Sequence, residues 1–351
     1  QGWATLLVAR EPGSVLRIAD GTGVALENFS VIGSAAREDS SAMVEVTNTI
    51  DFQAEHINVL ALTEGNASVD GNGVGIGVGV AIGLSGNLLG ARITACALVA
   101  TQGIARVTVR DRAHLFSGEL VIRDNIFICS RHAVRCDEVS LHFGNTAIRA
   151  NLMLNGAAPA IVATGAVLGG AALRIADNVI HSAGGGILAG VSGLCIAGNR
   201  INGSDSAEDE RKEPADGIVI DDGLFVAPLV DIEIRHNQLR RIAGNAIHLS
   251  RPLQSCRIDA NRIHDTGLGA IVMDRDASAA SLTIHANHCE RLGLATEREK
   301  AAFAALQLIR VQRCDVIDNT IATVAPESTA ASAIDGRSDE HTSELQSPCN
   351  L

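Results

Sequence analysis

Three short groups of chemistry-bearing residues occupy matching places along this chain: Asp221 and Asp222, then His248 with Arg251, then Asp274 with Arg275. A carboxylate can bind a cation or accept a proton, and an imidazole can move one. A guanidinium can grip a uronate through two parallel hydrogen bonds. Gathered in one place, these groups would suit a lyase, epimerase or hydrolase acting on an acidic polysaccharide. The competing reading is a row of surface ion pairs along a stacked turn, which is common and contributes little. Which of the two applies depends on the elements that position them.

Those elements are set by a phrase, Ile-x-x-Asn-x-apolar, that returns about once every 26 residues. Its asparagines are Asn125, Asn151, Asn178, Asn199, Asn237, Asn261, Asn287 and Asn319. Apolar residues fall at period two on both sides of each Asn, as in Leu282, Ile284, Asn287 and Cys289. Each unit therefore reads as two short strands joined at the Asn. Asn suits such a corner because it tolerates the left-handed backbone conformation. Its amides can also hydrogen-bond from coil to coil as an asparagine ladder. A third strand precedes each pair: Gly217-Ile218-Val219-Ile220, Ala246-Ile247-His248-Leu249, Ala270-Ile271-Val272-Met273.

Three strands per turn, stacked about 4.8 Å apart, predict an all-β solenoid with three parallel sheets around an apolar core. About eleven coils would make a rod on the order of 50 Å long. In the earliest coils the phrase degenerates, and Phe29, Leu60 and Cys96 take the Asn position. At adjacent corners the charged groups would lie about 4.8 Å apart, with His248 beside them.

The Gly-Ile-x-Val strand followed by Ile-x-x-Asn-x-Ile resembles the right-handed parallel β-helix repeat of the pectate-lyase-like (pectin lyase fold) superfamily, from about Leu120 to Ile321. The resemblance implies a single-stranded right-handed helix of coils, and catalytic groups on the first sheet and the turn after it. It also implies an extracellular or cell-surface setting and, for a lyase, Ca²⁺. The motifs depart from the family's enzymes. Asp216-Gly217-Ile218 resembles the Asp-Gly-Ile of polygalacturonases, but the next coils offer Asn245-Ala246-Ile247 and Gly269-Ala270-Ile271 in place of an Asp pair and Gly-His-Gly. The Asp-Pro-His-Asp of alginate epimerases is absent as well. The outward first-sheet column, Arg135, Val162, Leu188, Val219, His248, Val272 and Gln307, is mostly apolar.

Composition narrows the partners. A net charge of −12 argues against nucleic acid and anionic membrane surfaces. With no Tyr, one Trp and seven Phe, the chain lacks the aromatic faces that neutral-sugar grooves present. Acidic sugars held by Arg remain compatible. The eight cysteines show no CxxC or paired spacing; Cys136, Cys256, Cys289 and Cys314 fall inward as small core hydrophobes. The histidines, His181, His264, His285 and His288 included, read as core or solvated groups, with no metal site and no cofactor motif. Residues 71–91 are uncharged, yet Gly73 to Val80 alternates with period two, as a glycine-lined strand does and a membrane span does not.

Two insertions break the period: the charged segment Ser204 to Asp216, read as a solvated loop, and Thr296 to Leu306, read as a short helix with a Thr296/Glu299 capping box. The chain opens at Gln1 without a signal-like segment, which reads as an N-terminally truncated fragment. Residues 336–351 resemble translated sequencing-adapter read-through and are expected to be a non-native tail, leaving residues 1–335 as one domain. Two functions stay open. The first is a non-catalytic scaffold or binding module, at a surface or in a secreted assembly, with protein partners. The second is an acidic-polysaccharide enzyme using Asp221, Asp222, His248, Arg251, Asp274 and Arg275.

Overall fold

The computed structural model describes residues 5–9, 14–34, 42–62, 79–106, 115–167, 172–204, 214–221, 227–294, 304–324 and 332–337. Among them every regular element is a β-strand, and within each compact unit most strands pair in parallel with the one three places on in the chain; between Val80 and Val167, where long strands run through corners, the partner is one to three places on. The three-place interval is what three strands per coil requires. No helix among the described residues is long and apolar enough to cross a membrane.

The chain divides into two compact units, 1–174 and 175–351. In the second unit, one stack of strands runs Ile187–Gly190, Ile218–Ile220, Ile247–Leu249, Ile271–Met273, Ala304–Ile309 and Ser332–Arg337. Its register aligns Ile187, Ile218, Ile247, Ile271, Leu306 and Ile334. The next stack aligns Ile232, Cys256, Leu282 and Cys314, and the third aligns Ile201, Leu239, Ile263, Cys289 and Ile321. Most of these side chains are fully buried, so a column of aliphatics fills each face of the core. Two-residue periodicity produces this directly, because every second side chain of a strand points inward.

The asparagines sit at the expected corner, but the backbone there differs from the sequence expectation. Positive φ belongs to the residue before each Asn: Asp124, Ala150, Asp177, Gly198, His236, Ala260, Ala286 and Asp318. The physical reason is exposure. The left-handed residue points its side chain outward and can be Asp, Ala, His or Gly, whereas Asn must aim its amide into the interior. Asn178, Asn199, Asn237 and Asn261 are completely buried.

Each amide makes the same bonds. Asn261 donates its backbone N–H and its side-chain Nδ2 to Asn287 Oδ1, both at 2.9 Å, and donates Nδ2 also to the Ile234 carbonyl at 2.9 Å. The pattern continues from Asn178 through Asn199, Asn237, Asn261 and Asn287 to Asn319.

In the first unit the coils stack by the same rule, with Asn125 donating to Asn151 Oδ1 at 3.0 Å from both nitrogens. The degenerate coils show one misreading. Leu26 pairs with Ala54, and Ala54 with Ile93. The left-handed residues are then Asn28, His56 and Ala95, which puts Phe29, Ile57 and Cys96 at the corner. Leu60 is three residues too far along. Where no Asn marks the corner, Ile57, Val59 and Leu60 offer several apolar candidates, and periodicity alone does not choose among them.

The helix expected over Thr296–Leu306 fails at its end, since residues 304–306 open the strand Ala304–Ile309. Alternation from Leu306 explains this: Leu306 and Leu308 are buried, and Gln307 and Ile309 between and after them are half-buried, as in a strand with one face on the core. Thr296, Glu299 and Phe303 lie outside the described residues, as do the glycine tract up to Val78 and most of the charged insertion. Pairing with Ala304–Ile309 extends through Gly336 and Arg337, and residues 338–351 are outside the described set.

Candidate functional site

The strand Ile247–Leu249 buries Ile247 and Leu249 completely, which forces His248 to the outer face. The outward register expected there is present: His248 lies between Val219 and Val272, and Val272 pairs with Gln307. Just beyond, the corner is held by parallel backbone bonds, Asp221 N–H to the Ala189 carbonyl at 3.1 Å and Asp274 N–H to the Leu249 carbonyl at 3.0 Å.

Three neighbouring coils converge on the imidazole. His248 Nδ1 donates to Asp216 Oδ2 at 2.6 Å, and Nε2 donates to Asp274 Oδ1 at 2.8 Å. Asp216 is itself fixed, because its Oδ1 accepts the Asn245 backbone N–H at 2.5 Å. The three side chains are 16%, 19% and 47% exposed for Asp216, His248 and Asp274, so the ring is sheltered and only Asp274 reaches well into solvent. Burial works against the charged ring, but the two carboxylates bonded to its nitrogens outweigh it and push its pKa up to about 9. At neutral pH the group is an imidazolium whose two protons are both held.

Of the sequence candidates, the structure joins His248 to Asp274 and brings Arg251 Nε to 3.6 Å from Asp221 Oδ1. Arg275 is exposed on the turn after Met273, and among the described residues it makes no ion pair. Asp222 lies outside the described residues. Asp216 was missed as a member of this group. Its signal was positional, since Asp216, Asn245 and Gly269 share one offset from Ile218, Ile247 and Ile271. Beside Asp216 a recess of about 10 Å³, lined by Ser182, Gly186, Gly203 and Ala215 among others, has room for about one water.

Among the described residues this corner offers calcium few free oxygens. The ion needs six to eight convergent oxygens, but Asp274 is bonded to the imidazolium and Asp221 faces a guanidinium.

On the third stack, where the sequence reading expects core or solvated histidines and no metal site, three groups of metal-ligating type come close together. His264, His288 and Glu290 present ligand atoms within 4.8 Å of one another. Their signal lay in the repeat: His264 and Glu290 stand at the same offset after Asn261 and Asn287.

The cysteines behave as packing residues. Burial pushes the Cys129, Cys256 and Cys289 thiols up to about 12, and those of Cys96 and Cys314 to about 11. All seven described cysteines are free thiols.

Fold and site together define an all-β protein of stacked parallel strands, solenoidal in kind. No protein-family model and no curated protein matches the sequence. Among solved structures it is similar to the catalytic unit of a thermostable GH87 α-1,3-glucanase from Streptomyces thermodiastaticus strain HF3-3. The two share 15% identity with a TM-score of 0.43; the match covers 95% of this chain and 62% of that one. A likeness at that level carries no argument about chemistry.

Proposed function

We propose that the chain is a right-handed parallel β-helix of the pectate-lyase-like kind, of about eleven coils, and that it serves as a non-catalytic scaffold or binding module in a surface or secreted assembly. The observation that carries this reading is the state of His248. Both ring nitrogens are committed to carboxylates, so no lone pair is left to accept a substrate proton. Asp221 is matched by Arg251, and the adjoining recess is far too small for a sugar ring.

A second observation supports binding over chemistry. In the first unit Ile126, Ile128, Leu152 and Leu154 are 36–46% exposed on paired strands, where Ile126 aligns with Leu152 and Ile128 with Leu154. Such a contiguous aliphatic face is characteristic of contact with another protein.

The other reading, an enzyme acting on an acidic polysaccharide, draws on one feature. Asp274 is half exposed and hydrogen-bonded to an imidazolium, a pairing that can move a proton at a scissile bond. The two readings separate in an assay of pectate, polygalacturonate, alginate and glycosaminoglycan, with and without Ca²⁺. The scaffold reading expects no product from any of them. Product released by the wild type and lost in an Asp221→Asn/Asp274→Asn double variant would overturn it.

A further inference from the structure

We infer that the outer face of the third stack in the second unit carries a site for a borderline divalent transition metal such as Zn²⁺, made by His264, His288 and Glu290. It is separate from the Asp216–His248–Asp274 cluster and does not depend on either functional reading. The repeat itself builds it. Strands Arg262–Thr266 and His288–Leu292 belong to adjacent coils, and their register places His264 directly opposite Glu290. His288 and Glu290 are two residues apart on one strand, so both side chains share the outward face. Cys289, between them, is buried in the core.

The three groups already cluster. Glu290 Oε2 lies 2.9 Å from His264 Nδ1, and Oε1 lies 3.9 Å from His288 Nε2. The two rings are tilted at 53° with centroids 5.9 Å apart, so they flank the carboxylate and do not stack on each other. Side-chain exposures of 24%, 43% and 39% leave His264, His288 and Glu290 accessible to an ion while limiting their freedom. Two imidazoles and one carboxylate with an open fourth position form a recognised donor set for Zn²⁺, whose ligands in a tetrahedron stand about 3.3 Å apart at bond lengths of 2.0–2.2 Å. The ligand atoms here lie within 4.8 Å of one another, and modest side-chain rotation closes the difference.

The neighbours select the kind of ion. Arg262 aligns with His288 and Arg240 with His264, both on the same face and both exposed. Positive charge beside a single carboxylate disfavours Ca²⁺ and Mg²⁺, which depend on anionic oxygens. Affinity must rest on the imidazoles, which favours Zn²⁺, Cu²⁺ and Ni²⁺. Because the ligands come from two successive coils, the ion would tie them together and stabilise the fold by mass action.

The test uses the full chain without an affinity tag. Zn²⁺ is titrated by calorimetry and by its effect on thermal unfolding, and Cu²⁺ by electron paramagnetic resonance. The expected result is one ion per chain, a raised unfolding temperature and coupling of copper to two imidazole nitrogens. His264→Ala or His288→Ala should each weaken binding at least about tenfold and remove one nitrogen coupling. Glu290→Gln should weaken binding and leave both nitrogens in place. Circular dichroism of each variant without metal checks that the coil is intact. No binding by the wild type up to millimolar Zn²⁺, or binding that survives the combined triple variant, would overturn the assignment.

Discussion

The corner column of the second unit and that of the first unit do the same job with different side chains. From Asn178 to Asn319 the corner is a continuous run of amides, each donating to the next. In the early coils of the first unit the same place is held by Phe29, Ile57 and Cys96, and the left-handed residue ahead of it persists as Asn28, His56 and Ala95. The backbone turn therefore does not depend on the amide. What the amide adds is satisfaction of buried polar groups: Cys96, which is not an Asn, still donates its backbone N–H to Asn125 Oδ1 at 2.9 Å. An aliphatic corner contributes apolar burial, and an amide corner contributes hydrogen bonds that would otherwise be missing from a dry interior.

Removing one amide from the middle of the run should have the largest effect. Asn261→Ala removes the acceptor of the Asn237 N–H, one of the two acceptors of the Asn237 side-chain amide and the side-chain donor to the Ile234 carbonyl, all in the interior. A loss of about 3 kcal/mol is expected, at the upper end of the range for orphaned buried groups. Urea unfolding measures it. Asn319→Ala at the end of the run should lose clearly less, because Asn319 is only half-buried. Equal losses at both positions would mean that the amides act singly and not as a run.

A pH series separates the amides from the charges. The amide run does not titrate, whereas the folded-state pKa of His248 is raised to about 9 from an ordinary value of 6.5. A raised histidine contributes stability that is fully present below its unfolded pKa and is lost as pH climbs through its folded pKa. Wild-type stability should therefore fall by roughly 2 kcal/mol between about pH 6.5 and pH 9. His248→Gln should flatten that segment. Asn261→Ala should shift the whole curve without changing its slope there. A wild type already flat over this window would show that the Asp216–His248–Asp274 bonds do not persist in solution.

The left-handed position offers a third handle. Ala260 has φ of 51° and precedes Asn261. A β-branched side chain is disfavoured there, so Ala260→Val should lose about 1–2 kcal/mol, again read from urea unfolding. Ala260→Gly should gain about 1 kcal/mol by relieving the same strain.

These contrasts explain what the sequence disclosed. The stacked strands and the Asn positions were legible because a buried corner tolerates few residue types, and repetition makes such a restriction visible. The residue before the Asn was not legible, because an exposed left-handed position accepts Ala260, Asp177 or His236 equally. Groups on one turn of adjacent coils, such as Asp221 with Arg251 and His248 with Asp274, could be read by stacking the coils on the repeat. Asp216 was harder to find, because it ends the charged insertion and stands ahead of its strand and not on the turn after it, and the pairing of His264 with Glu290 shows only once equivalent offsets from successive Asn corners are matched. Their meeting becomes readable only when each residue is counted from its own corner and not from its neighbours in the chain.

The smallest expected effect is also a gain, and it tests the comparison most directly. Cys96 Sγ lies 3.6 Å from the Ala54 carbonyl, the place where Asn125 Nδ2 reaches the Ile93 carbonyl at 3.0 Å one coil on. The thiol is thus a weak donor in an amide's position. Cys96→Asn would replace it with a stronger donor to Ala54. It would also bring a carbonyl oxygen towards the Ile57 N–H, and a second amide hydrogen towards Asn125 Oδ1. At least one new buried hydrogen bond should raise stability by about 0.5–1 kcal/mol. Cys96→Ser, smaller and unable to reach the next coil, should not. If Asn and Ser proved equally unfavourable, the first unit's corner would be adapted to apolar side chains, and the two columns would not be variants of one design.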